Sequence, residues 1–193
     1  MLRVVIDTSS LVSYVLTRGE LMRRVVAHWR AGTFILLSSP ATRTELAGVL
    51  AQPAIRQLAV ASLDELVQGL ERFAENVPGV LDLSGACRDP KACGERSRTN
   101  DKFLACAVGG KAHYLVSSDR DLLDMRHYRG VAIVNPGQFL LALELYPMEA
   151  RALAARFGRD VLADIQATVP LEPETAARIG EALAIISAGS LQG

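Results

Sequence analysis

Short apolar runs that lack strict alternation recur along this chain, with helical patterns between them. They fall at residues 2–6, 34–37, 80–83, 114–117 and 131–134, and are rich in Val, Ile and Leu. A strand that is apolar at successive positions must be covered on both faces. Strands of that kind alternating with helices predict a parallel sheet between two helical layers. The intervening helical patterns lie at residues 11–16 and 21–29, split at Gly19, and at 41–50. One or two more lie in 54–76, with a Ser-x-x-Glu capping box at Ser62 and Glu65. Further helices are expected at 103–108, ended by Gly109 and Gly110, at 122–123 and at 138–145. Residues 84–99 read as a polar loop. Beyond Pro147, residues 148–193 are helical in pattern, broken at Pro170 and Pro173, with almost no strand signal. The expected organisation is a three-layer α/β/α domain over residues 1–146 and a C-terminal helical extension over 147–193.

Composition narrows the function classes. Lys and Arg together number 21 and Asp and Glu 21, so a generally polycationic nucleic-acid coat is excluded while a local basic rim is not. No apolar run approaches the ~20 residues of a membrane span. The opening MLRVVIDTSS has no long apolar core or cleavage site of a secretory signal, so a cytoplasmic location is expected. Cys87, Cys93 and Cys106 form no CxxC pair and have no histidine at ligand spacing, which argues against a disulfide framework or a zinc site.

In open parallel sheets, ligands bind at the carboxyl ends of the strands. Asp7 follows the first strand, and Asp119 and Asp121 follow the fourth. Asp101 opens the helix before the fourth strand, and Glu45 lies early in the helix after the second. Taken singly, Asp7 and Asp119 read equally well as helix N-caps. Taken together, several carboxylates at one sheet edge repel one another unless a cation neutralises them. Oxygen ligands without Cys or His suit Mg²⁺ or Mn²⁺, and such a centre suits phosphodiester hydrolysis by a metal-activated water. His28, His113 and His127 are scattered and read as packing or surface residues.

Ile6-Asp7-Thr8-Ser9, Glu45 in Thr-Arg-Thr-Glu-Leu, Asp101-Lys-Phe-Leu-Ala-Cys-Ala and Val-Ser-Ser-Asp119-Arg-Asp-Leu-Leu resemble, in this order, the motifs of the PIN domain. The nearest subgroup is the toxin component of toxin–antitoxin systems, similar to the VapC toxins, over about residues 1–145. The resemblance implies a Mg²⁺- or Mn²⁺-dependent endoribonuclease that cleaves single-stranded RNA. Asp7, Asp101 and Asp119 would hold the metal, and Glu45 would complete the site near the metal or its water. Thr8 or Ser9, Ser117 or Ser118, and Asp121 match accessory polar positions. It further implies a cognate antitoxin and a homodimer as partners. The chain departs from the subgroup at the third acid. Arg88-Asp89-Pro90 is followed by an insertion, residues 91–99, and the pair before Lys102 is Asn100-Asp101. Asn100, Asp101 or Asp89 could fill that position, and Asp101 fits the wider family pattern.

Two basic groups could grip RNA phosphates or be solvated surface. One is Arg88, Lys91, Arg96 and Arg98 in the insertion. The other is Arg18, Arg23, Arg24 and Arg30. The apolar stripe of Leu153, Phe157, Val161 and Leu162 needs a partner, either the same domain, a second copy or an antitoxin. A phosphatase-type enzyme is disfavoured because no acid stands two residues after Asp7. A degenerate PIN domain that binds RNA or protein without cutting is the alternative from another class.

Overall fold

The computed structural model describes residues 1–17, 19–59, 62–78 and 100–189. The expected strand at 80–83, the loop at 84–99, Arg18, Cys87, Asp89 and Cys93 lie outside the described residues. The elements run β1 (Arg3–Ile6), α1 (Thr8–Thr17), α2 (Glu20–Arg30), β2 (Ile35–Ser38), α3 (Pro40–Leu50), α4 (Pro53–Leu58), α5 (Leu63–Phe73) and β3 (Glu75–Asn76). They continue with α6 (Asp101–Gly109), β4 (Tyr114–Val116), α7 (Arg120–Leu123), β5 (His127–Tyr128), β6 (Val131–Val134) and α8 (Pro136–Leu145). The tail adds α9 (Ala150–Arg156), α10 (Arg159–Thr168) and α11 (Pro173–Gly189).

The six-stranded sheet has the order β3-β2-β1-β4-β6-β5. All pairings are parallel except β5 with β6. Alternate residues of each strand enter opposite layers. Val4, Ile6, Leu36, Tyr114, Val116, Ala132 and Val134 pack with α1, α2, α8 and the tail. Val5, Leu37, Leu115, Val131 and Ile133 pack against Phe103, Leu104, Cys106 and Ala107 of α6 and Leu122 of α7. The two-sided burial that the apolar runs predict is thus observed, and the three-layer α/β/α fold with it.

Two short strands escape the periodicity argument. β3 is Glu75–Asn76, both exposed, at the end of the stretch 54–76 that the sequence predicts as helical. It is held by Arg3 on β1, whose guanidinium donates to both carboxylate oxygens of Glu75 at 2.9 and 2.6 Å. β5 pairs with β6 through a two-residue turn in which Arg129 and Gly130 both have positive φ, 47° and 85°. That conformation matches the twist of a tight hairpin. Helix α6 ends at Gly109 as expected, yet the left-handed residue is Lys111, φ 50°. Gly110 is needed for close approach instead, because a Cβ there would lie 2.7 Å from both Leu37 Cδ1 and Val77 Cγ2.

The tail closes onto the same core. Leu153, Leu162, Ile165, Ile179 and Ala182 belong to the cluster that contains Leu2, Val4 and Tyr114. Of the expected stripe, Leu153 and Leu162 are fully buried, whereas Val161 faces solvent at 50% exposure. The Tyr114 hydroxyl on β4 accepts the Glu172 backbone N–H at 3.1 Å. The buried Glu172 carboxylate caps α11 by accepting N–H bonds from Glu174 and Thr175 at 2.8 and 2.7 Å. Burial raises the Tyr114 hydroxyl pKa, so it stays protonated. Leu162→Ala removes a fully buried side chain and should cost about 2–5 kcal/mol. Chemical denaturation followed by tryptophan fluorescence and circular dichroism should show one shifted transition. A separate early transition for the tail would show that its packing is not cooperative with the sheet.

Candidate active site

The sheet order changes direction between β1 and β4, since the chain runs outward through β2 and β3 and returns to β4 on the other side of β1. Such a switch point leaves a crevice at the strand carboxyl ends. Asp7 and the Ser117–Asp119 segment are placed there by the two adjacent strands. The register is continued by Asp7 N–H, which donates to Val116 O at 3.0 Å, and Ser117 N–H, which donates to Val134 O at 3.0 Å.

Each aspartate both caps a helix and faces the crevice. Asp7 Oδ1 accepts the Ser10 N–H at 2.7 Å, the N-cap bond of α1. Its Oδ2 accepts hydroxyls from Ser9 at 2.8 Å and from Ser117. Asp119 Oδ1 accepts the Asp121 N–H at 2.9 Å, capping α7. Its Oδ2 accepts the side-chain amide of Asn100 at 2.9 Å. Ser117 joins the two acids, because the hydroxyl that donates to Asp7 also accepts the Asp119 N–H at 2.9 Å. Ser10 and Ser118 hydroxyls meet at 3.1 Å beside this pair. Thus Ser9 and Ser117 contact the first acid directly, while Thr8 is buried within α1 and Ser118 contacts Ser10.

The α6 end of the crevice supplies Asn100, Asp101 and Lys102. Asn100 bonds Asp119, and Asp101 begins α6 and is 7% exposed. Lys102 forms an ion pair with Glu45 of α3. Helix α3 starts where Ser39 and Thr42 form a reciprocal capping box with Pro40 in the first turn, which sets the position of Glu45. Neighbouring Arg43 donates to the Ser38 hydroxyl at 2.8 Å. Among the described residues, no three Asp, Glu, His or Cys side chains gather closely enough to enclose a metal ion by themselves. Asp7 and Asp119 are joined through the Ser117 hydroxyl.

Asp7 is 2% exposed, and its described hydrogen-bond partners are uncharged donors. Burial pushes its carboxyl above the usual range, and the bonds from Ser117, Ser10 and Ser9 pull it partly back. The buried Cys106 thiol is pushed up to about 11, which leaves it an inert core group. His113 Nδ1 accepts the Arg3 N–H at the other end of the strands, and His127 and His28 bond Leu171 O and the Thr33 hydroxyl. None of these contacts involves the carboxylates. Of the second basic group, Arg23 is paired with Glu20 and Arg30 with Glu65. Arg30 lines a cavity with Met1, Phe34 and Ile35, at the amino ends of β1 and β2, whereas Asp7 follows the carboxyl end of β1. It therefore does not border the acidic crevice.

A family model described as PIN domain matches residues 3–121, more than half of the chain. The chain belongs to the PIN domain family. PIN domains are generally nucleases, and PIN nucleases generally use divalent metals. The match spans all four acids named from the sequence and ends at Asp121. A search of curated proteins found no match. The sequence motifs assign no role to Lys102 or Ser10. Their partners lie on α3 and after β4, so only the fold reveals them.

The raised Asp7 pKa has a definite sign in stability. A carboxyl whose folded pKa lies above its unfolded value favours the folded state when protonated, and that contribution is lost as pH rises through the folded pKa. In metal-free buffer, Asp7→Asn should therefore melt above wild type at neutral pH. The gap should shrink as pH falls toward the ordinary carboxylate range. Differential scanning fluorimetry across pH in EDTA checks this; a variant less stable than wild type throughout would contradict it.

Proposed function

We propose that this PIN domain is a Mg²⁺- or Mn²⁺-dependent endoribonuclease acting on single-stranded RNA. The observation that carries this reading is the Asp7–Ser117–Asp119 network, a buried carboxylate joined to a second one at the switch point with only neutral donors described around the first. Mg²⁺ commonly binds through one or two carboxylates and keeps several waters, so this donor pair fits it. Asp7 and Asp119 would hold the ion. Asp101 would contribute the third carboxylate from the start of α6, and Glu45 borders the crevice with its charge met by Lys102. When bound, the ion would lower the pKa of a bound water and stabilise charge on phosphate oxygens. The chain's own contribution is orientation. The two helix caps fix the Oδ1 atoms, and Ser9, Ser117 and Asn100 aim the Oδ2 atoms.

RNA as substrate and a toxin role are supported by the motif resemblance to VapC-like chains, and so are a cognate antitoxin and a homodimer. A non-catalytic PIN domain is the second reading. It is favoured by the amide of Asn100 standing on Asp119 and by the lack of a three-acid cluster among the described residues.

Labelled single-stranded RNAs incubated with Mn²⁺, Mg²⁺ or EDTA separate the two. Wild type should cut with either ion and not in EDTA. Asp7→Asn should lose the metal's contribution of several kcal/mol, roughly 10²-fold or more in rate. Loss in Asp101→Asn as well would assign the third acid. Full activity in Asp101→Asn would remove it from the site, and no metal-dependent cutting by wild type would favour the binding module.

A further inference from the structure

The family resemblance implies Glu45 near the metal or its water, and its carboxylate pairs with an ammonium. Lys102 Nζ reaches it from the first turn of α6, across the gap between α6 and α3. Both side chains are 25% exposed, so the pair is neither on open surface nor sealed in the core. A lysine ammonium has three N–H donors. Glu45 is the carboxylate described on it, which leaves donor capacity on a side chain that solvent partly reaches. Lys102 also stands two residues after Asn100, whose amide touches Asp119. The backbone of Lys102 therefore lies within one helix turn of the residue that contacts Asp119. Lys102 Nζ also lies over the ring of the neighbouring Phe103, 6.0 Å from its centroid.

We propose that Lys102 binds a backbone phosphate of the substrate strand beside the acid pair, and that Glu45 is the positioning residue that holds the ammonium there. This rests on the ribonuclease reading above. Two carboxylates alone would repel an approaching phosphodiester, and a fixed ammonium next to them offsets that repulsion and sets where the strand lies. Glu45 then acts through Lys102, and its removal leaves the phosphate-binding charge in place but less ordered.

The test is RNA binding without catalysis. Binding of a fluorescein-labelled single-stranded RNA to the full chain in EDTA is followed by anisotropy across a KCl series for wild type, Lys102→Gln, Lys102→Arg and Glu45→Gln. Melting curves check that each variant is folded. One lost phosphate contact on a single strand lowers the salt slope by about 0.7 and weakens binding roughly five- to tenfold at about 50 mM salt. Lys102→Gln should show both changes. Lys102→Arg should keep the slope because it keeps the charge, and Glu45→Gln should keep the slope while changing affinity by less. Wild-type slope and affinity in a folded Lys102→Gln would overturn the phosphate role while leaving the nuclease reading intact. Equal loss in Lys102→Arg and Lys102→Gln would also overturn it, since that outcome marks a structural ion pair. Failure of wild type to bind any RNA would overturn the ribonuclease reading itself, and this assignment with it.

Discussion

The Ser117 hydroxyl is shared between two acids, and the site depends on it. It donates to Asp7 and accepts the Asp119 backbone N–H at 2.9 Å. Asp7 comes from the end of β1 and Asp119 from the loop after β4, 112 positions apart in sequence by subtraction of their numbers. Only parallel pairing of these two strands brings them within one hydroxyl of each other. Ser117 is itself fully buried and fixed by its N–H bond to Val134 O on the next strand. The junction is therefore part of the sheet rather than of a loop that could drift.

Capping and function are one arrangement here. A helix N-terminus needs an acceptor for its free N–H groups, and an aspartate provides it with one oxygen. At both Asp7 and Asp119 that oxygen is Oδ1, which leaves Oδ2 aimed at neighbouring hydroxyl or amide groups. The two explanations open for these residues, cap or ligand, therefore describe different atoms of the same side chain. The cap supplies the rigidity that a site of this kind needs. It also offsets part of the cost of a carboxylate buried to 2% exposure.

Much of the architecture was legible because each long strand is apolar at successive positions, which has one structural solution. The strand-end rule then pointed to Asp7 and Asp119. β3 and β5 were not legible, since each has two polar or half-exposed residues held by partners remote in sequence or by an Arg129–Gly130 turn. The Lys102–Glu45 pair was not legible either. Helical spacing shows neighbours three and four apart, and these residues meet across two helices that only the fold brings together. The same is true of Arg30. It sits near Arg23 and Arg24 in sequence, but α2 carries it to the amino ends of the strands beside Phe34.

A divalent cation held between Asp7 and Asp119 is the claim on which the proposed chemistry turns. The most direct measurement is an anomalous difference map from crystals grown or soaked with Mn²⁺. The prediction is a peak contacting the carboxylates of Asp7 and Asp119, absent in the same experiment on Asp119→Asn. A map from well-ordered, Mn²⁺-saturated crystals with no peak at this pair, or with its only peak elsewhere on the chain, would contradict it.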